Sequence, residues 1–282
     1  EVAKIKIREN VVEEFPPAVL AEAANIPQRV APADKVGRED LRELDLCTID
    51  PADARDHDDA LFIERKKGGG FHVVVAIADV SHYVRLGTAI DDEAQARCTS
   101  IYLPDRVIPM LPHEISSNLA SLVPKKDRLC LAVDITLDAT GRVTHHRYIE
   151  GIMRSTAKLT YEGVADALGL TTEGGVKQPA ARERVPMLQA LLDLSRILRK
   201  RRLERGALDF DLPEPRVKLD EQGEPVAVVR SRQDPGVREP PLRLNGVADR
   251  HAAPGEQDGG DDFSQAGALY RLMSDDQKAQ LV

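Results

Sequence analysis

Short apolar runs separated by polar turn segments predict β-strands in the first half of the chain. Apolar runs at residues 60–64 and 72–80 flank the segment KKGGG, which is typical of a turn, so we expect these runs to form a hairpin. Two further runs, at residues 129–137 and 142–152, are joined through residues 138–141. They predict a second pair of strands.

The second half carries helical periodicity. Apolar residues recur at helical spacing through residues 181–205, and Gly206 follows as a stop signal. A shorter helix is predicted at residues 13–24, where two prolines mark its start. Together these elements predict an α+β fold with mixed, mainly antiparallel sheets and packed helices.

Composition and charge exclude several classes of protein. The 282 residues suffice for one large domain or two small ones, and the net charge of −8 argues against broad electrostatic binding of nucleic acid. Cys47, Cys98 and Cys130 are too few and too scattered for a disulfide framework or a zinc site, which favours a reducing cytoplasm. We expect neither a membrane span nor a signal peptide. Because the chain starts at Glu1 without methionine, we expect it to be an excerpt.

The most informative chemical feature is a group of four aspartates in the stretch TIDPADARDHDDALF, namely Asp50, Asp56, Asp58 and Asp59. Carboxylates this close stay ionised together at neutral pH only when cations lie between them. Oxygen ligands without histidine or cysteine spacing point to magnesium, with manganese possible, rather than zinc. Because carboxylate-held magnesium usually serves phosphate chemistry, the pattern predicts phosphoryl transfer or phosphodiester hydrolysis.

The same acidic stretch also suits two other interpretations. A solvated loop, with an Asx turn at Asp53 or Asp56, stays open. A calcium loop of the EF-hand type needs a glycine in its middle and a glutamate at its end. With Asp56 as the first ligand, Leu61 and Lys67 occupy those positions, so the calcium loop is excluded.

The same stretch resembles the catalytic signature of the RNB family, the ribonuclease II and ribonuclease R exoribonucleases. Further segments are similar to that family in the same order, among them VAIADVSHYV, DRLCLAVDITLDATGRV and RLERGALDFDLPE. The resemblance extends over residues 1 to about 235. It implies magnesium-dependent hydrolysis of single-stranded RNA in the 3′-to-5′ direction, with release of nucleoside 5′-monophosphates.

The resemblance also implies roles for the acidic residues. Asp50, Asp56, Asp58 and Asp59 match the four family aspartates around the metal, with Asp58 at the position most critical for chemistry. Adjacent residues of a regular strand face opposite ways. Asp58 and Asp59 are therefore expected to reach one metal cluster only if the backbone turns before the strand entered at Ala60.

Three aromatic residues match RNA-binding positions of the family. Tyr102 matches a tyrosine that stacks on a base at the 3′ end, and Phe210 matches a phenylalanine at the other end of the bound nucleotides. Tyr161 matches a tyrosine near the ribose, where a hydroxyl helps to distinguish RNA from DNA. Without the resemblance, all three would first be interpreted as core aromatics.

Other polar residues leave alternatives open. Asp79 closes an apolar run, which is consistent with support of the metal site or with a strand-end cap. The His57–Asp58 pair is also found in a class of phosphohydrolases that needs further histidines on an all-helical scaffold, and the predicted strands disfavour that class. The basic residues within 196–205 suit either a phosphate-binding track or a solvated helix face.

The composition changes after about Arg232, where proline, glycine, aspartate and arginine dominate. We expect a lead-in segment at residues 1–40, an RNB-like ribonuclease domain at 41–235, and a linker with a terminal helix at 236–282. The last segment resembles the C-terminal region of haem catalases, but the regions that hold their catalytic histidine and haem ligand are not present, so no haem is expected. An arginine motif that grips RNA phosphates in the family is not found either.

These observations favour an exoribonuclease catalytic region that acts on single-stranded RNA in the cytoplasm, truncated and with reduced or no activity. The first alternative is a non-catalytic RNA-binding fragment. The second is a metal-dependent phosphohydrolase that acts on small nucleotides.

Overall fold

The computed structural model describes residues 2–171, 175–207, 214–223 and 225–231. The strands, in chain order, are β1 (Glu39–Asp40), β2 (Cys47–Asp50), β3 (Asp59–Arg65), β4 (Phe71–Ala78), β5 (Ile101–Tyr102), β6 (Val107–Ile108), β7 (Asp127–Leu137), β8 (Val143–Arg154), β9 (Ala157–Thr160), β10 (Glu214–Leu219) and β11 (Pro225–Ser231). The α-helices are α1 (Val2–Arg8), α2 (Pro17–Asn25), α3 (Val80–Tyr83), α4 (Ala89–Arg97), α5 (Tyr161–Ala167), α6 (Pro179–Glu183) and α7 (Val185–Glu204).

One large sheet organises the part of the chain that the structure describes. Its seven strands follow the order β1-β8-β7-β4-β3-β2-β9. Four neighbouring pairs are antiparallel, and the pairs β1–β8 and β2–β9 are parallel. Both predicted strand pairs form hairpins, as β3–β4 and β7–β8. The predicted α+β fold with mainly antiparallel pairing is confirmed.

Apolar side chains cover both faces of this sheet. On one face, Val73 of β4 packs in the same cluster as Leu61 of β3 and Leu191 of α7. The next residue, Val74, faces the other way and packs with Ile90 of α4, because successive side chains of a strand point to opposite faces. Coverage on both faces explains why β4 is apolar along almost its whole length.

The helix predictions hold in part. The helix predicted at residues 181–205 is confirmed as α7 over Val185–Glu204, but its predicted start is wrong, because residues 181–183 belong to the separate helix α6. Pro186 accounts for the break, because proline has no N–H and its ring clashes inside a helix but fits in a first turn. Gly206 follows α7 with a φ of +90°, as the predicted stop requires. The shorter helix predicted at residues 13–24 is α2, which begins at Pro17.

Two further expectations concern the C-terminal segment and membrane spans. The linker and terminal helix predicted at residues 236–282 lie outside the described residues, and they stay predictions. Within the described ranges, none of the helices combines the length and apolar character that a membrane span requires.

The turn between β3 and β4 depends on Gly70. Its φ is +86°, and a Cβ built there would lie 2.3 Å from the carbonyl oxygen of Leu137. We expect Gly70→Ala to lower the free energy of unfolding by roughly 2–4 kcal/mol, because backbone strain is added to a clash with a main-chain atom that cannot rotate away. Urea denaturation measures this loss.

Gly68 provides the matched control in the same turn. Its φ is +88°, but a Cβ there would meet nothing within 4 Å. Gly68→Ala should therefore cost only the conformational strain, about 1–2 kcal/mol. Equal losses in the two variants would contradict the proposed clash at Gly70.

Candidate active site

The predicted acidic residues lie at one end of the large sheet. β2 ends at Asp50 and its antiparallel neighbour β3 begins at Asp59, so residues 51–58 form the loop between them. The carbonyl oxygen of Asp58 accepts a hydrogen bond from the backbone N–H of Ala78 at 2.8 Å. Asp58 and Asp59 therefore lie where the loop joins β3, which begins one residue earlier than the strand start expected at Ala60.

Residues distant in sequence fix the end of this acidic loop, which we define as residues 51–58. The Ser121 hydroxyl accepts from the His57 backbone N–H at 2.9 Å and donates to the Arg55 carbonyl at 3.3 Å. The Leu122 backbone N–H donates to the His57 carbonyl at 2.7 Å. Both backbone groups of His57 are thus held, immediately before Asp58.

Lys158 fixes the middle of the acidic loop. It lies on β9, in register with Thr48 of β2. Its Nζ donates to the Ala54 carbonyl at 2.7 Å and to the Ala52 carbonyl at 3.4 Å. The parallel pairing of β2 with β9 therefore brings a cation against the backbone of the acidic loop.

The local environment disfavours ionisation of two carboxyl groups. Burial, followed by repulsion from Asp56 and Asp50, raises the pKa of Asp58 to about 6. Burial, followed by repulsion from Asp50 and Asp58, raises the pKa of Asp59 to about 7. Asp58 nevertheless stays accessible to solvent, so an ion can reach it. Such a cluster favours either a bound cation or bound protons at neutral pH.

The carboxylates of Asp50 and Asp56 each contact a neighbouring side chain. Oδ2 of Asp50 lies 2.7 Å from Nδ1 of His57, and the Tyr102 hydroxyl donates to Oδ2 of Asp56 at 3.2 Å. Among the residues that the structure describes, no group of three or more histidine, cysteine, aspartate or glutamate side chains is arranged to hold a metal ion. The donor chemistry does fit magnesium or manganese, because the crowded side chains offer only carboxylate oxygens.

The predicted RNA-binding aromatics differ in their surroundings. Tyr102 lies on β5 beside the acidic loop, and it is 67% exposed, so its ring is available to a ligand. Tyr161 begins α5 directly after Thr160, the register partner of Asp50, and its half-buried ring packs against the core. Phe210 lies outside the described residues.

The site described above lies within a region that matches a known protein family. The model of the RNB domain matches residues 38–238. The chain belongs to the RNB domain family. The match includes the acidic loop and all three aromatic positions, so the resemblance noted in the signature stretch is confirmed over most of the chain.

Curated relatives of this RNB domain include ribonuclease R from two bacteria. The Vibrio cholerae protein is 43% identical over 212 residues, which cover 75% of this chain and 26% of that protein. The Escherichia coli protein is 44% identical over 203 residues, which cover 71% of this chain and 24% of that protein. The chain thus spans about a quarter of the length of these relatives.

Solved structures of Mycoplasma genitalium RNase R share the fold of the RNB domain. The complex with ribose-methylated single-stranded RNA matches with a TM-score of 0.76 at 28% identity, covering 87% of this chain and 38% of that one. The complex with double-stranded RNA gives a TM-score of 0.77 at 28% identity, covering 87% of this chain and 43% of that one. These matches agree with the sheet architecture described above.

The structure also resolves the alternatives for Asp79. Its Oδ1 caps α3, accepting from the His82 backbone N–H at 3.1 Å and from the Ser81 hydroxyl at 2.8 Å. Its Oδ2 accepts from Nη2 of Arg38 at 2.6 Å. Asp79 is therefore a structural cap within the RNB domain.

The basic face of α7 does not adjoin the acidic loop. Arg201 donates to the Thr140 carbonyl at the β7–β8 turn. In the sheet, Leu137 of β7 pairs with Phe71 of β4, and Phe71 pairs with Arg65 of β3. The β7–β8 turn therefore lies next to the C-terminal end of β3. β3 has seven residues and spans roughly 20 Å at the usual rise per residue. The basic residues of the last turns of α7 therefore lie at the opposite end of β3 from the site.

Two residues that contact the acidic loop, and the role of one residue inside it, were not predicted from the sequence. Ser121 and Lys158 are far from the loop in the chain, and only the strand pairing of the RNB domain brings them close. His57 was considered only as part of a histidine–aspartate pair on a helical scaffold. A histidine inside an acidic stretch is itself a signal that a carboxylate has a neutral or cationic neighbour.

Proposed function

We propose that this chain carries the catalytic centre of a 3′-to-5′ exoribonuclease, which hydrolyses single-stranded RNA to nucleoside 5′-monophosphates with magnesium, or with manganese in its place. The observation that carries the proposal is the set of four aspartates at one end of the sheet of an RNB domain. The ribonuclease R relatives, at 43% and 44% identity, support the same reaction.

The four aspartates in and beside the acidic loop, and the nearby Tyr102, have distinct parts in this proposal. Asp50, Asp56, Asp58 and Asp59 would hold the metal, which supplies charge stabilisation at the phosphate and lowers the pKa of a bound water. The pKa values of Asp58 and Asp59 are raised, so a nearby cation would stabilise the ionised forms of these two carboxyl groups. Tyr102 would stack on a base beside them, a grip that tolerates any sequence.

The extent of the catalytic domain and its surroundings are part of the same proposal. We assign the RNB-like domain to residues 41–235, with a lead-in at 1–40 and an atypical tail at 236–282. The free cysteines Cys47, Cys98 and Cys130 support a reducing cytoplasmic setting. Since the relatives are about four times as long as the matched region, we expect turnover by this chain alone to be slower than theirs.

Removal of the Tyr102 ring should weaken RNA binding. A stacked base contributes about 1–3 kcal/mol, so we expect Tyr102→Ala to raise the Kd for single-stranded RNA by roughly 5- to 150-fold. Fluorescence anisotropy measures this change, in an Asp58→Asn background that keeps the RNA intact. Tyr102→Phe is the matched control, because it keeps the ring and removes only the contact to Asp56. Equal losses with phenylalanine and alanine would contradict stacking.

A second candidate function is RNA binding without catalysis. It is favoured by the exposed ring of Tyr102, which would bind a base whether or not the aspartates hold a metal. In that case RNA affinity would persist in a metal chelator and no product would form.

A panel of substrates tests the proposed function. The chain is incubated with magnesium and with single-stranded RNA, single-stranded DNA of the same sequence, or a nucleoside triphosphate. The proposal requires mononucleotide release from RNA alone. Binding of RNA without product would favour the non-catalytic function, and hydrolysis of the triphosphate alone would favour a nucleotide phosphohydrolase.

A further inference from the structure

His57 is a buried polar side chain directly before Asp58, and it has no role in the proposed reaction so far. Its residue is 3% exposed. Its Nδ1 lies 2.7 Å from Oδ2 of Asp50, whose side chain is 13% exposed. A polar ring placed so deeply in the protein is costly unless it is hydrogen-bonded, and the carboxylate of Asp50 meets that need.

The backbone of His57 is held as firmly as its ring. Ser121 and Leu122 bind its N–H and its carbonyl at 2.9 and 2.7 Å. Ser121 is itself fully buried, and its carbonyl accepts from Nε of Arg128 at 2.9 Å. The imidazole is therefore presented to Asp50 from a rigid part of the core rather than from a free loop.

The bond to His57 restricts the orientation of the Asp50 carboxylate. A carboxylate has about four lone-pair positions on its two oxygens, so a single bond from an imidazole N–H fixes its plane and leaves positions for a cation. Asp50 ends β2, and the bond to His57 restricts the rotation of its side chain. Partners of this kind around a metal ligand typically change metal affinity by roughly 10- to 100-fold.

We propose that His57 is a positioning residue, which donates from Nδ1 to Asp50 and holds that carboxylate in the orientation that binds the divalent cation. This inference rests on the proposed function, because it assumes that Asp50 is a metal ligand. It assigns His57 no contact with RNA and no step of the reaction.

Binding of Mn²⁺ to the full chain tests the inference without RNA hydrolysis. The Kd is obtained from the electron paramagnetic resonance signal of the free ion during titration. His57→Phe keeps a buried ring but has no donor, and we expect it to raise the Kd by roughly 10- to 100-fold. His57→Asn places its amide N–H where Nδ1 stands, so it should restore most of the affinity. His57→Gln places the amide further out, and it should resemble His57→Phe.

The rank order of the variants decides the outcome. A Kd that is unchanged or lowered in His57→Phe overturns the inference, since the imidazole would then be neutral or a competitor of the metal. Equal Kd values for His57→Asn and His57→Gln overturn it also, even if the phenylalanine variant does not fold. In both cases the wild-type chain still binds Mn²⁺, so the proposed function stands. A wild-type chain that binds no Mn²⁺ overturns both.

Discussion

Asp58→Asn is expected to remove most of the ribonuclease activity, lowering the rate of mononucleotide release from single-stranded RNA by roughly 10²- to 10³-fold. Loss of one preorganised charged group at a reacting phosphate costs about this much, and the asparagine side chain has one fewer oxygen and no charge to offer a cation. Single-turnover hydrolysis, with the chain in excess over labelled RNA, measures the loss.

Asp53→Asn is the matched control for this change. Asp53 lies in the same acidic loop and is exposed, and it has no assigned part in metal binding. The rate of mononucleotide release by Asp53→Asn should stay within a few-fold of the wild-type rate. If both variants lost activity equally, the loss would reflect the general charge of the loop, and the assignment of Asp58 would be refuted.

Folding and chemistry can be separated in the same variant. The pKa of Asp58 is raised to about 6, so its ionised form is less stable in the folded chain than in the unfolded one. Without metal, this group stabilises the fold below pH about 4, its ordinary pKa, and that contribution is lost as the pH rises through about 6. Asp58→Asn should therefore not lower the midpoint of thermal unfolding at pH 7, which a melting curve checks.

Asp79→Ala is expected to lower the free energy of unfolding by about 3–5 kcal/mol, because removal of one partner leaves the other charge buried and unpaired. The side chains of Arg38 and Asp79 are only 10% and 4% exposed. Nη1 of Arg38 is already buried without a hydrogen-bond partner in the described residues, so the guanidinium has little else to bind. The cap of α3 is lost as well. Urea denaturation measures the change.

An exposed ion pair provides the comparison for Asp79. Lys200 and Glu204 lie 3.9 Å apart on α7, with side chains 79% and 60% exposed. Glu204→Ala should change the free energy of unfolding by less than about 1 kcal/mol. The double variant Arg38→Met with Asp79→Ala should recover part of the loss, since it removes the buried charge. A loss in Asp79→Ala no larger than that in Glu204→Ala would contradict this role.

Local patterns in the sequence predicted the local parts of the fold. The hairpin of β3 and β4 follows from two apolar runs around a glycine-rich turn, and the register of Asp59 with Ile77 follows once the hairpin forms. The acidic loop could be predicted because several aspartates lie close together in the sequence. The break between α6 and α7 was missed although Pro186 signals it, because the apolar periodicity continues through the break.

The remaining parts of the site depend on contacts between distant residues. Lys158 and Ala54 are separated by 104 positions, and Ser121 and His57 by 64. No local pattern predicts the parallel pairing of β2 with β9 that brings Lys158 to the loop. The pairing of Asp79 with Arg38 likewise joins two segments that are 41 positions apart. The sequence thus predicts the reacting groups better than the residues that hold them.

We propose that the aspartates at the acidic loop of this RNB domain direct a metal-dependent attack on the last phosphodiester of an RNA strand. The most direct measurement is a time course with 5′-labelled single-stranded RNA and excess chain, in magnesium and in EDTA, resolved at one-nucleotide steps. We expect progressive shortening from the 3′ end in magnesium, with release of nucleoside 5′-monophosphates. In EDTA we expect neither shortening nor release of monophosphates. RNA that stays full length in magnesium, internal cuts, or shortening that persists in EDTA would contradict it.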